Sequence, residues 1–178
     1  MALLNILIYP DPRLRQRAAP VDSVDDSVRK IIDDMAQTMY AAPGIGLAAT
    51  QVNIHRRIIV ADVSQEKNDL RALINPTICD QFGETETEEG CLSLPGITLP
   101  VMRSESVTVH AQDQYGNSFE MVADGILAVC IQHEIDHLDG KVMVDYLSRL
   151  KRDRLRKRIL REQREGSITA AEETATVS

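Results

Sequence analysis

The sequence predicts an α+β fold in which antiparallel or mixed β-sheets surround a central helix, with another helix near the N-terminus and a charged helix near the C-terminus. Three observations carry this expectation: helical periodicity at both ends, four short β-branched segments between them, and too few strand-helix-strand alternations for a doubly wound sheet. With 178 residues and 43% hydrophobic content, the chain suits one domain with one core. That domain is assigned to residues 1–165, and 166–178 reads as a small, polar, acidic tail expected to be disordered.

Val24, Val28, Ile31, Ile32, Met35 and Met39 recur at helical spacing after Asp22-Ser23, which places a first helix at roughly 24–41. Strands are expected at Arg57–Val63, Arg71–Asn75, Ser106–Gln112 and Ser118–Val122, with Asp113 to Asn117 as the turn between the last two. The central helix follows. Asp124-Gly125 offers its start, Ile126, Leu127, Val129, Cys130 and Ile131 make it apolar, and Asp139-Gly140 ends it just past Leu138. The charged helix begins near Tyr146.

His133, Glu134 and His137 form the pattern His-Glu-x-x-His, which on a helix sets two imidazoles one turn apart on one face, able to share a metal ion. Burying two imidazoles and a carboxylate together is costly without an ion to organise them. A catalytic ion usually takes three protein ligands and keeps one position open, so a further ligand must come from elsewhere. Cys91, in the Gly- and Pro-bounded segment Glu88 to Gly96, is one candidate; Cys79, Cys130, His55 and His110 are the others. Spacing alone leaves that choice open. Cys130 reads as packing or pocket lining, and Cys79 as a small buried hydrophobe.

The segment Gly44 to Val52 combines small residues, past which a substrate backbone could approach closely, with Gln51, an amide able to donate a hydrogen bond. By itself it reads more readily as a turn into a buried strand.

Together these segments resemble the peptide deformylase family, whose motifs are similar to Gly-x-Gly-Leu-Ala-Ala-x-Gln, Glu-Gly-Cys-Leu-Ser and Gln-His-Glu-x-Asp-His-Leu. They stand here as Gly44 to Gln51, Glu89 to Ser93 and Gln132 to Leu138, in order and with no motif position altered. The resemblance implies metal-dependent hydrolysis of the N-formyl group from the formylmethionine that starts new proteins, with release of formate. It implies Cys91, His133 and His137 as metal ligands, Glu134 as general base and then acid, and Gln51 and the Leu92 backbone N–H as oxyanion donors. The substrate peptide would pair near Ile45, Gly46 and Gly90, its methionine side chain lying against Ile126, Val129 and Cys130. One divalent ion per chain is implied, Fe2+ first, with Zn2+, Ni2+ or Co2+ able to substitute. The main alternative is a zinc-dependent peptidase, which shares His-Glu-x-x-His.

Charge gives a second clue. Nine of the 20 Lys and Arg residues lie between Arg149 and Arg164, against Asp153 and Glu162 alone, while the whole chain carries −7. Such a run is either a solvated helix face or a phosphate-binding surface, and the resemblance to enzymes acting on nascent chains favours ribosomal RNA as its partner. Residues 35–55 lack charged side chains apart from His55 but contain Pro43, Gly44 and Gly46, which argues against a membrane span. Three cysteines without framework spacing, and an N-terminus without leader features, point to a reducing compartment and a cytoplasmic protein.

Overall fold

Asp25 caps the first helix, α1 (Asp26–Ala41), by accepting a hydrogen bond from the Val28 N–H, so the helix begins two residues later than its apolar periodicity indicates. The computed structural model describes residues 2–175, and side chains only as far as Gly166. Contacts divide the chain into two compact units, Met1–Met143 and Val144–Ser178.

Within the first unit, five strands form one antiparallel sheet: β1 (Gly46–Ala48), β2 (Ile58–Ala61), β3 (Arg71–Phe82), β6 (Ser106–Gln112) and β7 (Ser118–Asp124), in spatial order β1-β2-β3-β6-β7. The remaining strands, β4 (Thr85–Cys91) and β5 (Leu94–Arg103), make a separate antiparallel hairpin. The central helix is α2 (Gly125–Leu138).

Strand periodicity decides how the helices pack. In β2, Ile58 and Val60 bury with Val28, Ile32, Met35 and Met39 of α1, while Ile59 between them buries with Leu73, Val107, Val109, Ile131 and Leu138. The sheet thus lies between α1 and α2. Each fully buried aliphatic side chain contributes about 1.5–3 kcal/mol, so one cluster holds α1 and the other α2 against the sheet.

The four expected strands all form. The second runs on to Phe82 rather than stopping at Asn75: Asn75 adopts φ 52°, and the pairing with β6 shifts register across Pro76, between Ile74 and Thr77, and again across Cys79, between Ile78 and Asp80. The Asn75 side chain holds that irregularity: it accepts from the Val21 N–H and donates to the Val21 carbonyl and to Gln112. The β4–β5 hairpin was not anticipated, whereas strand β1 is the buried strand that the Gly44 to Val52 segment suggested. β4 turns Thr85, Thr87, Glu89 and Cys91 to its more buried face, so it carries no apolar alternation to read.

A 3-10 turn, Met143–Tyr146, begins on the last residue of the first unit, and the second unit contains α3 (Arg149–Ala175). The backbone of α3 continues past residue 166, where the sequence suggests the folded domain stops; residues 176–178 of that tail lie outside the described residues.

Candidate active site

Helix α2 is both a core element and one wall of the site. Its i, i+4 rows place Ile126, Cys130 and Glu134 in one line and Val129, His133 and His137 in the next. The neighbouring face, with Ala128, Ile131 and Leu138, packs on the sheet. That leaves His133, Glu134 and His137 buried at 8%, 4% and 1% exposure.

Cys91, the last residue of β4, comes to the same point. Its Sγ lies 3.3 Å from His137 Nε2, which lies 3.2 Å from His133 Nε2, and all three ligand atoms fall within 4.8 Å of one another. Two nitrogens on one tetrahedral ion at 2.0–2.1 Å would stand about 3.3 Å apart, so the donor set fits a divalent transition metal. The other candidates stand elsewhere. Cys79 is exposed on β3 and donates to the Thr108 carbonyl, Cys130 donates to the Ile45 carbonyl, His55 contacts Asn53, and His110 is exposed on β6. Burial raises the Cys130 thiol well above its ordinary range, which suits a packing role.

A buried ion network sits behind His133. Its Nδ1 bonds Glu89 Oε1 at 2.9 Å, the arrangement that leaves Nε2 with a free lone pair for an ion. Arg103 of β5 grips the same carboxylate through Nε and Nη2, each at 2.8 Å, and reaches Asp136 of α2 through Nη1 at 2.7 Å. Burial alone pushes Glu89 up and Arg103 down, but their mutual hydrogen bonds prevail: Glu89 is held down to about 2 and Arg103 is raised above its ordinary value. Burial lowers His137 well below its usual value, reinforced by the charges of His133 and Arg103. Burial also acts downward on His133, yet its hydrogen bonds to Cys91 and Glu89 raise it well above. Among the described residues, Glu134 has no such partner. Burial pushes it up to about 7 against the His133 and Arg103 charges, and its Oε2 makes no hydrogen bond.

The Gly44 to Gln51 segment supplies the opposite wall. A Cβ on Gly46 would stand 2.6 Å from Cys130 Sγ and 2.8 Å from Glu134 Oε1, so only glycine lets β1 pass this close to α2. Gln51, 1% exposed, accepts from the Ala48 N–H through Oε1 and donates from Nε2 to Ser93 Oγ at 3.1 Å, with Cys91 Sγ 3.7 Å away. An amide NH2 has two hydrogens: one goes to Ser93 and the other is directed at the Cys91 sulfur, in the ligand cluster.

These walls enclose an open cleft of about 1260 Å³ lined by Ile45, Gly46, Gly90, Cys91, Leu92, Ile126, Val129, Cys130, His133 and Glu134. All the residues expected to touch substrate are therefore on one surface, with Gln51 and His137 buried near the Cys91 sulfur. A sequence model of the family described as polypeptide deformylase matches residues 3–153. The chain belongs to this family.

Curated peptide deformylases agree over nearly their whole length. The one from Azotobacter vinelandii is 57% identical over 166 residues, covering 93% of this chain and 99% of that protein, and the one from Pseudomonas aeruginosa is 57% identical over 171 residues, with the same coverage. Among solved structures, a Legionella pneumophila peptide deformylase has a TM-score of 0.87 at 46% identity, covering 93% of this chain and 98% of its own. A peptide deformylase from Ehrlichia chaffeensis in complex with actinonin has 0.88 at 41% identity, covering 92% and 99%.

Four residues of this deformylase's site were given no role by sequence reasoning. Arg103 and Asp136 are charged side chains 33 positions apart in sequence, and nothing local announces that they meet across α2 and β5. Ser93 lies inside a motif, but its contact with Gln51 depends on the turn after β4. Glu89 also lay within a motif, without a role assigned to it.

Proposed function

We propose that this deformylase, through a catalytic domain spanning residues 1–165, hydrolyses the N-formyl group of N-formylmethionyl peptides and nascent chains and releases formate. The observation that carries the reading is the meeting of Cys91, His133 and His137 beside an unpartnered Glu134 oxygen and the Gln51 amide. Cys91, His133 and His137 would hold one divalent ion. A thiolate in the set suits softer transition metals, and family resemblance favours Fe2+, with Zn2+, Ni2+ or Co2+ able to replace it. When bound, the ion lowers the pKa of a water molecule towards about 7, making a nucleophile available at neutral pH.

The chain's own groups do the rest. Glu134, poised at about 7, takes the proton of the attacking water and passes it to the leaving amine. The Gln51 N–H that points to the Cys91 sulfur and the Leu92 backbone N–H donate to the oxyanion forming on the formyl oxygen, an interaction worth roughly 3–4 kcal/mol per donor. Ile45, Gly46 and Gly90 bind the peptide backbone, and Ile126, Val129 and Cys130 receive the methionine side chain. The peptidase alternative is set aside because the family match runs over 3–153, far beyond the motif helix.

Anaerobically purified protein should release formate from formyl-Met-Ala-Ser with about one metal ion per chain. Cleavage of the internal peptide bonds, or no formate from metal-loaded protein, overturns the reading.

The basic stretch 149–164 is proposed to dock on ribosomal RNA, with the enzyme working in the cytoplasm. No helix of the described residues is long and apolar enough to cross a membrane. Arg154, Arg156 and Lys157 are exposed and make no ion pair among the described residues, leaving them available to phosphates. Exchanging these three for Gln should weaken salt-sensitive cosedimentation with ribosomes while formate release persists; unchanged cosedimentation overturns the docking proposal.

A further inference from the structure

The two oxyanion donors of the proposed mechanism stand on separate parts of the fold. Gln51 follows β1 of the five-stranded sheet and Leu92 follows β4 of the hairpin, and no strand pairing joins these two sheets among the described residues. The Gln51 side chain reaches across to Ser93 Oγ, but it can aim only as well as the two backbones hold their spacing. Donors to an oxyanion act from fixed positions, and a displacement of about 1 Å can cost about 10²-fold in rate.

A segment outside both sheets spans the gap. The Leu7 N–H donates to the Gln51 carbonyl at 2.7 Å, and the Tyr9 N–H donates to the Ser93 carbonyl at 2.8 Å. An extended chain turns the N–H groups of alternate residues to one edge, about 6.6 Å apart, so residues 7 and 9 suit two carbonyls held at a set distance. Residues of the other parity face the other way. The Ala2 and Leu4 N–H groups donate to Asp34 Oδ1 and Thr38 Oγ1 of α1, at 2.7 and 2.9 Å, and both of these side chains are buried. Leu4 and Ile6 pack on the α1 cluster, Leu7 and Tyr9 are buried, and the Asp11 N–H closes a turn on the Ile8 carbonyl. The segment is thus a strap with one edge on α1 and the other on both halves of the oxyanion site. Ile6 is its one residue on the cleft wall, so Leu7 and Tyr9 act from behind the site rather than on substrate.

We propose that Leu7 and Tyr9 are positioning residues for the reaction: their backbone N–H groups set the spacing between Gln51 and the Leu92–Ser93 turn, and so aim both donors at the formyl oxygen. The inference rests on the deformylase reading of the site.

The test exchanges Leu7, and separately Tyr9, for the matching α-hydroxy acid, which turns one backbone amide into an ester, removing the N–H and keeping the side chain. With formyl-Met-Ala-Ser, each metal-loaded ester form should lose about tenfold in kcat while KM stays within about twofold of the parent and metal content is unchanged. In a Gln51→Ala background the Leu7 ester should change kcat by less than about threefold, because the donor it aims is gone. An equal loss in both backgrounds would make the contact merely structural and overturn the proposal, as would a folded ester form with parental kcat. Hydrogen exchange in the unaltered, zinc-loaded protein adds a check that needs no variant to fold. The Leu7 and Tyr9 amides should exchange as slowly as those of the five-stranded sheet, and exchange at the rate of an open peptide overturns the strap. Absence of formate from the parent would instead overturn the deformylase reading.

Discussion

The two walls of the cleft are built on opposite principles. Helix α2 is anchored by apolar packing: Ala128, Ile131 and Leu138 join the core against the five-stranded sheet, so His133, Glu134 and His137 ride on a rigid support. The β4–β5 hairpin is a two-stranded unit outside that sheet, and its link to α2 runs through charge, with Arg103 tying Glu89 of β4 to Asp136 of α2. Two-stranded hairpins are marginal alone. The difference shows how a ligand set can be assembled from one element held by the hydrophobic effect and another held by buried electrostatics.

The sharpest way to break the comparison is through a residue that acts only in chemistry. Replacing Glu134 with Gln keeps α2 packed and should cut turnover by about 10³- to 10⁴-fold with metal content unchanged; turnover within tenfold of the parent would show that α2 contributes only ligands. Next comes the hairpin's anchor. Arg103→Leu takes the guanidinium away from the buried Glu89 carboxylate and from Asp136 and should cost about 3–5 kcal/mol of unfolding free energy, with loss of metal. Full metal occupancy in that variant would mean the hairpin is held by packing after all.

The pH response sharpens the same point. Glu89 is held at about 2 in the fold, below its unfolded value of about 4.3, so its contribution to stability is complete above about pH 4.3 and is lost as pH falls towards 2. The gap in unfolding free energy between the parent and Glu89→Gln should therefore stay constant from pH 5 to 7 and shrink below pH 4; a gap that does not shrink would assign the anchoring to another group. The smallest effect is expected at Thr87, whose hydroxyl donates to Glu89 Oε2 at 3.2 Å. Thr87→Val should cost about 1 kcal/mol in chemical denaturation, and a loss as large as that of Arg103→Leu would mean that hydroxyl, rather than the guanidinium, controls the carboxylate.

The same contrast sets what the sequence determined about this protein. Apolar residues at helical spacing give α1 and α2, β-branched runs give the cores of four sheet strands, and three short motifs bring Cys91, His133, Glu134, His137 and Gln51 into view, because each of these signals is local. Tertiary structure decided the rest. Strand β4 faces its polar side inward and so has no apolar period, and β3 continues through Asn75-Pro76 only because Val21 and Gln112 bond the Asn75 side chain. Neither the pairing of Arg103 with Glu89 and Asp136 nor the contact of Ser93 with Gln51 can be read from neighbours in sequence. Both depend on distances between residues that only burial brings together, where an unpaired charge is too costly to leave alone.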